Sequence, residues 1–193
     1  MGIVFDHVDA WTKLREGDAR AVATTAADLA VLSAEKRPSR RALSALVDDL
    51  TQVAVARDEL GAHDTFVLTS NAPVVQLLAY SFITYDSAPH ALEETLEAAL
   101  AQHPGMAGDH EMTMTNTAHG DAHRIVTRFR GVERRWARGA GSTQVQWVRP
   151  ITDSPRDVTI TLSTVIPRSI DEPLVLPLVD DFALSIVTTQ DES

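Results

Sequence analysis

Two runs of alternating apolar and polar residues, STQVQWVRPI (142–151) and VTITLSTVI (158–166), constrain this chain more than any other feature. Side chains along a strand point to opposite faces in turn, so each run buries one parity and turns the other outward. The link between them, TDSPRD, is rich in turn-forming residues and too short for a parallel crossover, so the two runs pair antiparallel. With Ile151 opposite Val158, Trp147 meets Leu162 and Val145 meets Thr164 on a core side. Gln146 then meets Ser163, and Val148 meets Thr161, on the other side.

EMTMTNTAHGDAHRIVTRFRG (111–131) reads as a second hairpin turning at Gly120-Asp121. That turn sets His119 opposite Ala122, Thr117 opposite Arg124, Thr115 opposite Val126 and Thr113 opposite Arg128. Asn116-Ile125, Met114-Thr127 and Met112-Phe129 pair on the reverse face. Joining the hairpins with their apolar faces inward predicts one polar sheet face. It carries Thr113, Thr115, Thr117, Arg124, Arg128 and Arg130, and continues through Gln144, Gln146, Thr159, Thr161 and Ser163.

Upstream, the period changes from two to that of a helix. Asp18 can cap a helix reaching Leu32, with Val22, Ala26, Leu29 and Leu32 at helical spacing. EKRPSRR interrupts it, and Ser39 can cap a second helix whose stripe is Leu43, Leu46, Val47, Leu50, Val53 and Ala54, ended by Gly61. TFVLTS and VVQLLAYSFITYD, parted by Asn71-Ala72-Pro73, read as strands; the second is apolar on both parities, as a strand covered on both faces would be. A third helix is expected from Ser87 to about residue 102, with Pro89 in its first turn. The closing helix is expected to begin between Pro173 and Leu176 and to present Leu178, Phe182, Ala183 and Ile186 on one face. The order α-α-β-β-α-β-β-β-β-α makes an α+β protein with helices packed on an antiparallel sheet. At 193 residues it is expected to be one domain, residues 1–193, with a helical N-terminal segment 1–61 packed on a sheet domain 62–193.

Charge singles out one region. The chain carries a formal net charge of -10, yet residues 122–150 hold seven arginines against the single acid Glu133, a local +6. Guanidiniums two apart on one strand face stand about 7 Å from each other and repel, so such a row requires water or acids beside it. The acids can belong to the protein's own loops and helices, or to something that binds. The second option makes Arg124, Arg128, Arg130, Arg134, Arg135 and Arg138, with Trp136 among them, a surface for an acidic protein partner or an anionic ligand.

Other chemistry finds little support. HGDAH (119–123) and GDHE (108–111) bring histidines and acids close together, but Gly-Asp reads as turn chemistry, so no metal is assigned. The acid pairs Asp48-Asp49, Glu93-Glu94 and Asp180-Asp181 fall on the polar sides of amphipathic helices and are expected to be solvated. Arg149 stands on the core-facing parity beside Trp147 and is expected to snorkel to solvent at the strand end. No phosphate loop, nucleophile elbow or cofactor fingerprint occurs, so no cofactor is expected and the sequence leans away from an enzyme. The acidic balance argues against nucleic acid. With neither a basic, apolar secretory start nor an apolar run of about 20 residues, no membrane span is expected and a cytoplasmic protein is the expectation. A homodimer through the open sheet face or an edge strand is compatible with the pattern.

VQWVRPITDSPRDVTITLSTVIPRSIDEPLVLPLVDDFALSIV runs as aromatic strand, proline turn, β-branched strand, proline link and closing helix. It resembles the end of a Mog1/PsbP-like domain, and the whole chain is similar to uncharacterised actinobacterial proteins; fifteen arginines against two lysines, with abundant alanine, fit a GC-rich genome. The resemblance implies an α/β/α sandwich and a binding or assembly module without common catalytic residues. A helix-grip fold, with a ligand cavity under the last helix, is the alternative architecture; small-ligand binding or catalysis in an internal cavity is the alternative function.

Overall fold

The computed structural model describes residues 2–5, 10–70, 74–86, 94, 97, 107–117, 120–129, 141–151, 158–167 and 170–189. Helix α1 (Ala19–Leu32) starts where Asp18 accepts a hydrogen bond from the Ala21 N–H at 3.0 Å. Helix α2 (Arg40–Leu60) starts where the Ser39 hydroxyl accepts one from the Ala42 N–H at 3.1 Å. Both side chains satisfy helix N–H groups that have no intrahelical partner. Gly61, at φ 62°, ends α2 in a left-handed conformation that a Cβ would strain.

The buried face of α2 is the expected one, and that of α1 is not. In α2, Leu46, Val47, Leu50, Val53 and Ala54 are buried as the stripe requires. In α1 the buried residues are Ala23, Ala26, Ala27 and Ala30, while Leu29 is exposed and Leu32 is 83% exposed. Four small side chains let α1 lie close against α2, and the bulky leucines stay outside that contact.

Among the described residues seven strands form one antiparallel sheet: β2 (Trp11–Lys13), β3 (Asp64–Ser70), β4 (Gln76–Asp86), β5 (Ala107–Thr117), β6 (Gly120–Phe129), β7 (Ser142–Ile151) and β8 (Val158–Pro167). Their spatial order is β2-β3-β4-β8-β7-β6-β5. Two further strands, β1 (Gly2–Phe5) and β9 (Ile186–Thr189), pair antiparallel with each other. The pair α1-α2 covers one face through Val67, Leu77, Tyr80 and Phe82. Helix α3 (Glu172–Leu184) covers the other, with Val175, Val179 and Phe182 against Phe66, Ile83, Trp147 and Leu162. The fold is therefore an α+β sandwich. Helices on both faces distinguish it from the helix-grip arrangement, in which a sheet wraps around one helix. The two-sided apolar pattern of β4 has its cause here: Tyr80 and Phe82 face the helix pair, Ala79 and Ile83 face α3.

The β7-β8 ladder has the expected register, including Ile151-Val158, Trp147-Leu162 and Gln146-Ser163. The β5-β6 ladder does not. It closes with Thr117 opposite Gly120, so Gly120-Asp121 lie in the strand and Thr113 faces Arg124 instead of Arg128. Arg124 in turn lies beside Trp147, and Arg128 beside Thr143. The arginines thus share a face with Val145 and Leu162, and the expected polar face joining them to Gln144, Gln146, Thr161 and Ser163 does not exist. The reason is physical: β6 is apolar on both parities (Ala122 and Val126 against Ile125), so alternation alone cannot orient it.

At the chain's end, α3 begins at Glu172, one residue before the expected range, and Pro177 lies inside it. Leu178 is exposed, and Ile186 belongs to β9. Glu94 and Glu97 are helical, whereas the rest of the helix expected from Ser87 lies outside the described residues, as does the start of the predicted hairpin turn at His119. The short strands β1, β2 and β9 were not foreseen.

Candidate functional site

Strand β6 turns Ala122, Arg124, Val126 and Arg128 toward α3. Ala122 and Val126 enter the core, and the two arginines between and beyond them find carboxylates on the helix. Arg124 donates from Nε to Asp180 Oδ1 at 2.8 Å and from Nη2 to Oδ2 at 2.9 Å, a two-pronged contact that matches the planar guanidinium. Trp147 Nε1 donates to Asp180 Oδ1 at 3.2 Å. Asp180 is thus the hub of a partly buried cluster, contrary to its expected place on a solvated helix side.

Arg128 makes the corresponding contact one strand-turn away. Its Nε donates to Glu172 Oε1 at 2.9 Å and its Nη1 to Glu111 Oε1 at 2.8 Å. The Thr143 hydroxyl donates to the other Glu172 oxygen. Glu172 also sits in the first turn of α3, where the helix dipole favours an anion. Burial alone would push the Glu172 carboxyl up, but hydrogen bonds from Thr143 and Arg128 and the charges of Arg128 and Arg124 together hold it below its ordinary range. The bonds to Glu172 and Glu111 hold the Arg128 guanidinium above its ordinary value.

The two arginines differ in access. The Arg124 side chain is 16% exposed and belongs to the interior of the sandwich. The Arg128 side chain is 38% exposed and borders a cavity of about 270 Å³ with Phe129, Thr143, Ile166, Ile170 and Glu172. Of the expected surface, Arg124 and Arg128 are therefore brought onto one line under α3, and Arg130, Arg134, Arg135, Trp136 and Arg138 lie outside the described residues.

Arg149 corrects another expectation. It is buried, with Nη1 and Nη2 donating to the Ile186 carbonyl at 3.0 and 2.9 Å and Nε without a partner among the described residues, so it does not snorkel. Burial pulls its pKa down, although a guanidinium remains charged. The cavity beside it, bounded by Trp147, Leu162 and Ala183, is about 20 Å³, room for one water. Asp121, from the HGDAH run, accepts a hydrogen bond from Asn116 Nδ2 at 2.8 Å. Among the described residues no three histidines and acids converge as metal ligands, and no helix is long and apolar enough to cross a membrane.

Glu172, Asp180, Glu111 and Thr143 were not anticipated as the arginines' partners, yet a signal existed. Four residues along a strand span about 13 Å and eight along a helix about 12 Å, so the Arg124-Arg128 and Glu172-Asp180 intervals match.

No family model and no curated protein matches this chain. Among solved structures, LpqN of Mycobacterium tuberculosis, described as involved in cell envelope biogenesis, aligns with 96% of this chain and 83% of its own, at a TM-score of 0.51 and 12% identity. A Bacteroides thetaiotaomicron protein aligns at a TM-score of 0.47 and 8% identity; this chain spans 46% of its length. At such identities the likeness to LpqN extends to the fold.

Proposed function

We propose that this chain is a non-enzymatic interaction protein that receives an acidic group of a partner at the Arg128 end of its sheet. The observation that carries this is Arg128 itself: a guanidinium more than a third exposed, at the border of a 270 Å³ cavity whose walls include Phe129, Ile166 and Ile170. Its outer partner, Glu111, is a mostly exposed carboxylate that an incoming one can replace. In sequence the arginine-rich stretch with Arg130, Arg134, Arg135, Trp136 and Arg138 follows directly. Arg124, held by Asp180, is assigned to structure and not to binding. Residence in the cytoplasm and kinship with Mog1/PsbP-like domains accompany this proposal. The alternative of small-ligand binding is better served by this groove than by the Arg149 cavity, which is far below the several hundred Å³ a ligand fills.

A fluorescent glutamate-rich peptide, followed by anisotropy, tests the proposal. Binding is expected to weaken as salt rises, and to fall at least about tenfold in Arg128→Gln, the equivalent of about 1.4 kcal/mol. It is expected to fall further when Arg130, Arg134, Arg135 and Arg138 are all changed to Gln. No binding at low salt, or equal binding by Arg128→Gln, would overturn it.

A further inference from the structure

We infer that the outer edge of β5 joins two copies of this chain, antiparallel, with Thr113 of one copy opposite Thr113 of the other. Among the described residues β5 ends the sheet, with β6 on one side and no strand on the other. Edge strands present unpaired N–H and C=O groups, and proteins that stay monomeric blunt them with proline, lysine or bulges. Past the bulge between Ala107 and His110, this edge is regularly paired to β6 as far as Thr117 and contains neither proline nor lysine. Its one acid in that stretch, Glu111, is turned to Arg128 across the sheet. Met112 and Met114 are 54% and 67% exposed, side by side on the face away from α3.

The occupant follows from the sequence of the edge. HEMTMTN (110–116) is nearly palindromic about Thr113. A two-fold axis through that residue sets Met112 opposite Met114 of the second copy, Glu111 opposite Thr115 and His110 opposite Asn116. All four methionines then meet on one face, and no like charges stand opposite each other. Sliding the axis one residue either way puts a methionine opposite His110 or Asn116. The edge is thus complementary to itself in one register, which is the property an isologous strand addition needs. This interface adjoins the Arg128 groove at Glu111, which accepts from Arg128, but does not depend on the proposal made for it.

The absence of cysteine makes the test clean. Sedimentation of the full chain is expected to show twice the 21.0 kDa of one copy. Thr113→Cys is expected to form a disulfide-linked dimer on mild oxidation, because directly opposed Cβ atoms lie about 5 Å apart. Thr115→Cys is expected not to, since the two sulfurs would be about 13 Å apart. Met112→Lys with Met114→Lys is expected to yield a folded monomer with an unchanged far-ultraviolet circular dichroism spectrum, both sites being exposed, and a melting temperature that no longer depends on protein concentration. A native chain monomeric up to millimolar concentration, a Thr115→Cys variant that crosslinks as fast as Thr113→Cys, or a dimer that survives both lysines would each overturn the inference.

Discussion

Arg124 and Arg128 show how far the role of a side chain depends on what lies across from it. Both are arginines on one parity of one strand, yet the first is locked by Asp180, whose carboxylate also accepts from Trp147, and the second is shared between Glu172 and the surface acid Glu111. Asp180→Ala would leave the largely buried Arg124 guanidinium and the Trp147 N–H without their acceptor. A loss of about 3 kcal/mol or more is expected in urea unfolding. Glu172→Gln leaves the more exposed Arg128 guanidinium, which water and Glu111 still serve, and about 1–2 kcal/mol is expected. The pH dependence distinguishes it further. The Glu172 carboxyl is held below its unfolded value of about 4.3, so its contribution is complete above that pH and is lost as acidification passes through the lower folded value. Melting temperatures from pH 7 to pH 3 are expected to fall less steeply in Glu172→Gln than in the native chain.

Elements differ in how local their determinants are. The caps of α1 and α2 were legible because Asp18 and Ser39 act on an N–H three residues away. The face of α1 was not, because ARAVATTAADLAVL is apolar around much of its circumference and only the approach of α2 selects the alanine side. Ala27→Leu is therefore expected to overpack that contact and cost about 1–3 kcal/mol, whereas Leu32→Lys is expected to stay within about 0.5 kcal/mol, both read from denaturation midpoints. Strands β1, β2 and β9, of three or four residues, are too short to show a period. Arg149 anchors the last of these by holding the Ile186 carbonyl, where α3 gives way to β9.

The whole molecule places two apolar clusters on opposite faces of a single sheet, and β3 and β4 contribute to both. Losing either layer would bare one side of the same strands, so the two are expected to unfold together. Trp11 and Trp147 both report on the α3 layer, while α1 and α2 contribute most of the described helix. In a Trp136→Phe background, tryptophan fluorescence and far-ultraviolet circular dichroism are expected to share one urea midpoint. Separate midpoints would show that the layers unfold independently.

The helix caps, the alternation and register of the β7-β8 hairpin, and the α+β class were legible in the chain, because each depends on residues a few positions apart. Which way β6 faces, which side of α1 is buried, and that Asp180 and Glu172 rather than solvent meet Arg124 and Arg128 came only with the packed fold. Those partners lie 56 and 44 residues from the arginines they hold. A strand apolar on both parities turns toward whichever side the rest of the fold supplies with matching charge and shape.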